Sequence, residues 1–333
     1  MTTRWGIAAT GQMADAFASD LAHLPDAEIA FVGSRSSEAA TGFAARHGGA
    51  AAGSGTYRDL VEAGRRGDVD VVYVATPHPQ HHAFALAAIE AGTPLLVEKA
   101  FTATLKGAEE VVAAARAAGV FCMEAMWTRF QPALGHVREL VGAGEIGDLL
   151  MVQADFGAHR AYDPSSRLFD LALGGGAVLD LGVYTVSLAQ HFLGRPDRVV
   201  ATGTTYPNGA DRSAAIKLAY ADGRAASLTC TLASQTPGGA VLVGTEGTIE
   251  LVPPFHHPTR VVVRRNGADA EEVELPAVGR GYVHQAEEVQ RCLAAGLTES
   301  PVMPLDDTLD VLWVLEECLG QLDIDMAEAP AAL

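Results

Sequence analysis

An acid and a phenol four residues apart, behind three consecutive glycines, are the first chemistry this sequence offers. They are Asp180 and Tyr184, after Gly174, Gly175 and Gly176. On a helix that spacing puts both on one face, one turn apart. Such a pair could hold a hydroxylated substrate and pass it a proton. A phenol titrates near about 10, so at neutral pH it needs a nearby cation. Glu98-Lys99, at the end of an apolar run, offers one. Lys99 beside Tyr184 would favour phenolate character and make the two a workable proton relay. Glu98 either orients the lysine or faces the sheet. By itself the glycine run also suits a plain tight helix entry, and Tyr184 an ordinary half-buried tyrosine. The elements around them have to decide.

Composition allows the necessary scaffold. The chain has 333 residues, enough for two domains, and at 49% hydrophobic and 19% charged it can bury sizeable cores. A net charge of −18 argues against a nucleic-acid partner, because phosphate backbones need a basic surface. Cys122, Cys230, Cys292 and Cys318 form no CxxC pair, so neither a zinc site nor a redox motif is signalled. Met1 leads straight into a strand-like run, and no stretch of about 18 consecutive apolar residues occurs, so neither a secretory signal nor a membrane span is expected. The expectation is a reduced, cytoplasmic protein.

Strands and helices alternate through residues 1–125. Residues 4–9 read as a buried strand, and 12–24 have helical spacing. Between them the fingerprint G-x-G-x-x-G/A aligns with Ala9-Thr10-Gly11-Gln12-Met13-Ala14. Gly11 is the glycine that lets backbone approach a pyrophosphate. Ala9 stands where the first glycine belongs. A second strand at 28–33 ends in Ser34-Arg35-Ser36, not in the acid that takes a ribose 2′-hydroxyl. Arg35 can hold a 2′-phosphate by charge-assisted bonds, with serine hydroxyls donating, so NADP is favoured over NAD. An exposed arginine ahead of a helix at 37–47 is the plainer alternative.

A continuous apolar strand at 69–75 runs into Thr76-Pro77-His78-Pro79-Gln80-His81, read as a loop before a helix at 80–91. The strand at 95–97 delivers Glu98 and Lys99. A helix at 105–118 and a strand at 120–123 complete the sheet. Ligands in such sheets sit at the carboxyl ends of strands, so Gly11, Arg35, the 76–81 loop and Lys99 share one rim. Trp127 and Arg129, just past the last strand and before a helix at 133–142, either shape the nicotinamide pocket or pack a domain junction.

From residue 148 onward the texture changes. Strand-like pieces at 149–156, 199–205, 213–220, 225–232, 240–244, 248–252 and 260–264 come with turn signals and few helices. Consecutive strands imply a mostly antiparallel open sheet, hence an α+β second domain at 126–333. Helices after Gly174 can cover one face and a dimer partner the other. Helices at 285–297 and 308–322 close the chain, and the C-terminal helix can pack back on the first domain. Residues 327–333 look frayed. His256-His257 lacks a third ligand at metal spacing, so no metal is expected.

The assembled pattern resembles the glucose–fructose oxidoreductase / inositol dehydrogenase (Gfo/Idh/MocA) family over nearly the whole chain. Carrying it are Arg4-Trp5-Gly6-Ile7, Gly11, Ser34-Arg35, Thr76-Pro77 with His81, Glu98-Lys99, Trp127 with Arg129-Phe130, and Gly174 through Tyr184. Pro77-His78-Pro79-Gln80-His81 and residues 123–130 look like the branch of dimeric dihydrodiol dehydrogenases and NADP-dependent D-xylose 1-dehydrogenases. The resemblance implies a Rossmann α/β domain with a doubly wound parallel sheet, a second domain with an open sheet, NADP(H), and hydride transfer to or from a diol or sugar. It assigns Lys99 and Tyr184 to the catalytic pair and Asp180 to substrate hydroxyls. It places Ala9, Gly11, Gln12, Met13, Ser34, Arg35, Ser36, Thr76, Pro77, His78, His81, Glu98, Lys99, Trp127 and Arg129 about the cofactor. The family commonly has proline after Glu-Lys, where this chain has Ala100. Many relatives have histidine where Tyr184 stands. The same residues would serve keto-sugar reduction run the other way, and a silent NADP-binding regulator is the reading from another class.

Overall fold

The computed structural model describes residues 2–48 and 51–333. It comprises two compact units. The first is Met1–Trp127 with Val278–Thr308 and Ala327–Leu333, and the second is Thr128–Ala277 with Leu309–Met326.

In the first unit strands and helices alternate as β1 (Thr3–Ala8), α1 (Gln12–Leu21), β2 (Ala27–Gly33), α2 (Ser37–His47), β3 (Gly53–Gly55), α3 (Tyr57–Arg65), β4 (Val71–Val74), α4 (His78–Glu90), β5 (Leu95–Glu98), α5 (Leu105–Ala118) and β6 (Cys122–Ala125). The sheet order is β3-β2-β1-β4-β5-β6, all parallel. That is the doubly wound order with its switch point between β1 and β4, where dinucleotides bind. Every residue of β4 and of β5 is buried, as strands covered on both faces must be. Phe17 of α1 stacks on Tyr73 at 3.9 Å and meets Trp5 edge-on at 5.3 Å, which fixes α1 over the sheet. Two details differ from the sequence reading. The 76–81 stretch is mostly helix, because α4 already begins at His78 and tolerates Pro79 in its first turn, where the missing N–H is no loss. Strand β3 is three residues long and has no apolar pattern to announce it.

The second stretch runs α6 (Pro132–Gly142), β7 (Leu149–Gly157), α7 (Val183–Leu193), β8 (Arg198–Thr205), β9 (Asp211–Ala219), β10 (Ala225–Thr231), β11 (Ala240–Gly244), β12 (Gly247–Leu251), β13 (Arg260–Arg265) and β14 (Glu271–Glu274). The eight strands order as β14-β13-β12-β11-β7-β10-β9-β8. Only β7 and β10 pair in parallel, and the other neighbours are antiparallel. The strand β14 is a charged edge, held to β13 by Arg260–Glu272 at 2.7 Å. Its Glu271-Glu272-Val273-Glu274 sequence hid it from pattern reading. Helix α7 packs on β7 and β10. The stretch Leu171–Leu193 is long and apolar enough to cross a membrane by composition (mean hydropathy 1.5), but 78% of that window is buried within the protein, as in a core helix.

Two further helices complete the chain, α8 (Val283–Ala294) and α9 (Leu305–Gly320). A single cut near residue 125 does not describe the chain, because residues 278–308 return to the first unit. There the buried Asp20 of α1 accepts the backbone N–H groups of Arg280 (2.9 Å) and Tyr282 (2.8 Å). The last residues are also tied down. The Glu328 carboxylate accepts the Thr104 N–H and hydroxyl, both at 2.8 Å, at the start of α5, and the Ala329 N–H donates to the Pro79 carbonyl at 2.7 Å.

Candidate active site

The rim of the first unit is built from strand ends. Ala9, after β1, is buried with φ +116, a conformation that favours glycine. So the first fingerprint position keeps its geometry although its residue has changed. Gly11 caps α1, and a Cβ there would meet nothing within 4 Å, which leaves the helix N-terminus open to an approaching anion. Gln12 and Met13 form the first turn of α1.

After β2, Ser34 is buried, Arg35 is exposed, and the Ser36 hydroxyl caps α2 by accepting the Ala39 N–H at 3.2 Å. Burial pushes the Tyr57 phenol above its usual range, and Arg35 opposes that shift. After β4, Thr76 is 5% exposed and its hydroxyl has no hydrogen-bond partner. An orphaned buried hydroxyl at the switch point is a place where a ligand group fits.

The Lys99 backbone is held from several sides. The peptide bond Lys99–Ala100 is cis. His78 Nε2 lies 3.0 Å from the Lys99 carbonyl oxygen. His81 Nδ1 lies 3.1 Å from the Ala100 oxygen, and its Nε2 lies 2.7 Å from the Thr76 oxygen. His81 thus ties the end of β4 to the segment after β5, both at the rim. Glu98, buried, accepts the Tyr73 hydroxyl at 2.5 Å and the Lys99 N–H at 3.2 Å. It orients the lysine's backbone from inside the sheet.

In the second unit the three glycines have a physical reason. The turn Arg167–Phe169 lies against them, and a Cβ at Gly175 would stand 2.6 Å from the Arg167 carbonyl oxygen. Gly174 and Gly176 have φ of +72 and +131, and a Cβ at Gly176 would collide with the Asp211 carboxylate. Beyond the glycines the chain makes a π-helical turn, Val178–Gly182, that runs into α7. Such turns are frequent at functional sites. Asp180 lies in the π turn and Tyr184 in the first turn of α7, so their four-residue spacing spans the change of helix type.

Asp180 pairs with Arg167 at 3.5 Å. Tyr184 is 7% exposed, with the rings of Phe156 at 5.4 Å and His256 at 5.5 Å. Phe156 and His256 stack at 4.3 Å.

Trp127 closes the first unit, its ring tilted by 30° to that of Tyr282 with the centroids 4.3 Å apart. Arg129 belongs to the second unit and is 1% exposed. It donates to the Ser187 hydroxyl at 3.1 Å and to the Gln190 side-chain oxygen at 2.6 Å. Those bonds brace α7, which fits the packing alternative for Arg129.

Sequence reasoning missed Arg167, Phe156, Asp211 and Tyr282, and weighed His256 only as a metal ligand, a role it declined. No short spacing joins any of them to Asp180 or Tyr184. Among the described residues no group of His, Cys, Asp and Glu could hold a metal ion.

Comparison with known proteins identifies the family. Residues 3–126 match the oxidoreductase family with an NAD-binding Rossmann fold, and residues 135–250 match the GFO/IDH/MocA C-terminal domain. The trans-1,2-dihydrobenzene-1,2-diol dehydrogenase of Bos taurus is 34% identical over 330 residues, covering 95% of this chain and 96% of that protein. Among solved structures, a levoglucosan dehydrogenase in complex with NADH and levoglucosan superposes with a TM-score of 0.88 at 20% identity, covering 97% and 98% of the two chains. A 3-ketoreductase from Actinomadura kijaniata in complex with NADP and TDP-benzene gives 0.81 at 24% identity, covering 99% and 100%. At these identities the two structures speak for the fold alone.

Proposed function

This chain belongs to the GFO/IDH/MocA family of oxidoreductases, and from that premise we propose that it is an NADP-dependent dehydrogenase acting on a CH–OH group of a vicinal diol or aldose. The observation that carries the reading is the setting of Tyr184. It is a nearly buried phenol one turn beyond an acid, in a chain over a third identical along almost its full length to the dihydrobenzenediol dehydrogenases of Mus musculus and other animals. Gly11 and the α1 N-terminus would hold the pyrophosphate, with Gln12 and Met13 beside it. Arg35, with Ser34 and Ser36, would hold the 2′-phosphate. Thr76, Pro77 and Trp127 would line the nicotinamide side.

A bound nicotinamide supplies the hydride acceptor or donor. The chain's own residues do the rest. Asp180 holds one substrate hydroxyl, and Tyr184 takes the proton from the other. Lys99 lowers the phenol's pKa and steadies the developing oxyanion. His78, His81 and Glu98 keep the Lys99 backbone in place.

The homodimer reading is supported by the outer face of the large sheet. Val200 is exposed there at 43%, on the face that also carries Lys217, Ser227 and Gln153. The four cysteines are free and buried, which suits a reducing cytoplasm.

The decisive experiment measures NADP⁺ reduction across trans-diols and aldoses, and NADPH oxidation across keto-sugars, for the wild type and Tyr184→Phe. Turnover in the variant should fall by a factor of about 10² to 10⁴ while NADPH binding survives. Equal turnover removes Tyr184 from the mechanism. Binding of NADPH without turnover of any substrate by the wild type favours a regulatory protein instead.

A further inference from the structure

Asp211 is a buried carboxylate that the proposed mechanism does not use. It is 0% exposed at the start of β9, and its Oδ2 accepts the Val178 N–H at 2.6 Å, at the first residue of the π turn. The Ala177 N–H and its own N–H also favour the ionised form. Its Oδ1 has no hydrogen-bond donor and abuts Gly176 in the space a side chain would fill. A buried carboxylate with one unpaired oxygen is expensive to keep. Protein cores replace such groups readily unless they serve something other than stability.

We infer that Asp211 is a positioning residue, whose carboxylate clamps the N-terminus of the Asp180–Tyr184 helix and so sets where the acid and the phenol point. The inference rests on the proposed roles of Asp180 and Tyr184.

The clamp acts through geometry and charge together. Anions at a helix N-terminus are favoured by the unsatisfied N–H groups and the macrodipole. Here one anion fixes the residue from which the π turn starts. Protonation would weaken the N–H bonds and let the turn shift. The titratable groups acting on this site are Asp180 on the π turn, Cys230 on β10, Cys318 on α9 and Tyr206 on the β8–β9 turn. Asp180 and the two thiols bring no positive charge, so ionisation of Asp211 is opposed by burial and by Asp180, and supported by the backbone donors. Desolvation raises its pKa to about 6, inside the range where activity is ordinarily measured.

The test compares wild type, Asp211→Asn and Tyr184→Phe for kcat, NADPH affinity by fluorescence, and kcat against pH from 5 to 8. Asparagine keeps the shape and one acceptor but cannot ionise. We expect Asp211→Asn to lose at least tenfold in kcat, to bind NADPH as the wild type does, and to lack the wild type's fall in kcat below about pH 6. A variant with wild-type kcat and an unchanged acid limb overturns the inference. So does a loss of kcat that leaves the acid limb in place, since a merely structural residue would not move it. If Tyr184→Phe is inactive while Asp211→Asn is normal, only the clamp is refuted. If Tyr184→Phe is itself fully active, the functional reading fails first. Should Asp211→Asn not fold, Asp211→Ser, which also removes the ionisable group and leaves room beside Gly176, replaces it with the same expected outcomes.

Discussion

The two units hold their key residues by opposite chemistry. In the first, Lys99 comes after a buried strand, and the carbonyls of Lys99 and Ala100 meet imidazole nitrogens from α4 while the Lys99 N–H meets Glu98. In the second, Asp180 and Tyr184 come after a glycine run, and backbone N–H groups meet a single buried carboxylate. The first arrangement spreads the task over His78, His81, Glu98 and Tyr73. The second concentrates it on Asp211, with an oxygen left unpaired. One buried carboxylate is costly, and burial raises its pKa to about 6. The difference teaches that two segments of one chain can be held to different tolerances.

The largest effect should come from emptying the first arrangement of its cation. Lys99→Met should lower kcat by a factor of about 10² to 10⁴ with NADPH binding retained, as seen by steady-state kinetics and cofactor fluorescence. Unaltered kcat would mean that Tyr184 draws its proton affinity from elsewhere.

Next is the stability signature of the second arrangement. Asp211 has a raised folded-state pKa of about 6, so folding is favoured by its protonation. That contribution is fully present below the unfolded pKa of 3.8 and is lost as pH rises through about 6. The loss amounts to about 3 kcal/mol. Urea unfolding of the wild type and Asp211→Asn should therefore show the variant gaining relative stability from pH 4 to pH 7. A constant difference across that window would show that the carboxylate is not buried as described.

Smaller again is the cofactor choice. Arg35→Asp should weaken NADPH binding by about 10- to 100-fold, the scale of one lost charge-assisted contact, while NADH changes little. Equal losses would refute the phosphate assignment. The smallest effect tests a relic of strain in the first unit. Ala9→Gly should stabilise the protein by roughly 1 kcal/mol, because φ +116 suits glycine, with kinetics near wild type. A destabilised variant would place the strain elsewhere.

Much of the first unit was legible because a parallel sheet writes itself plainly. Residues 71–74 and 95–97 are buried, so they read as unbroken apolar runs, and the rim residues sit just after the strands of this sheet. Lys99, Gly11 and Arg35 could be found that way. The Glu328 contact could not, because an alanine-rich tail gives no sign of the Thr104 cap that receives it.

Asp211 was hidden by a change of register. Ala214, Ile216 and Leu218 point inward on β9, so parity puts Asp211 outward. The pairing slips instead, with Thr204 opposite Ser213 and Thr205 opposite Asp211, and the slip turns the carboxylate to the core.

The sequence by itself determined the alternation of strands and helices, the strand-end rim, and the acid–phenol spacing. Each of these depends only on local periodicity and turn chemistry. Only tertiary structure decided that Asp180 starts in a π turn, that Arg129 braces α7, and that Asp211 sits under the glycines. Each of those depends on a partner 33 to 61 residues away, which no local pattern encodes.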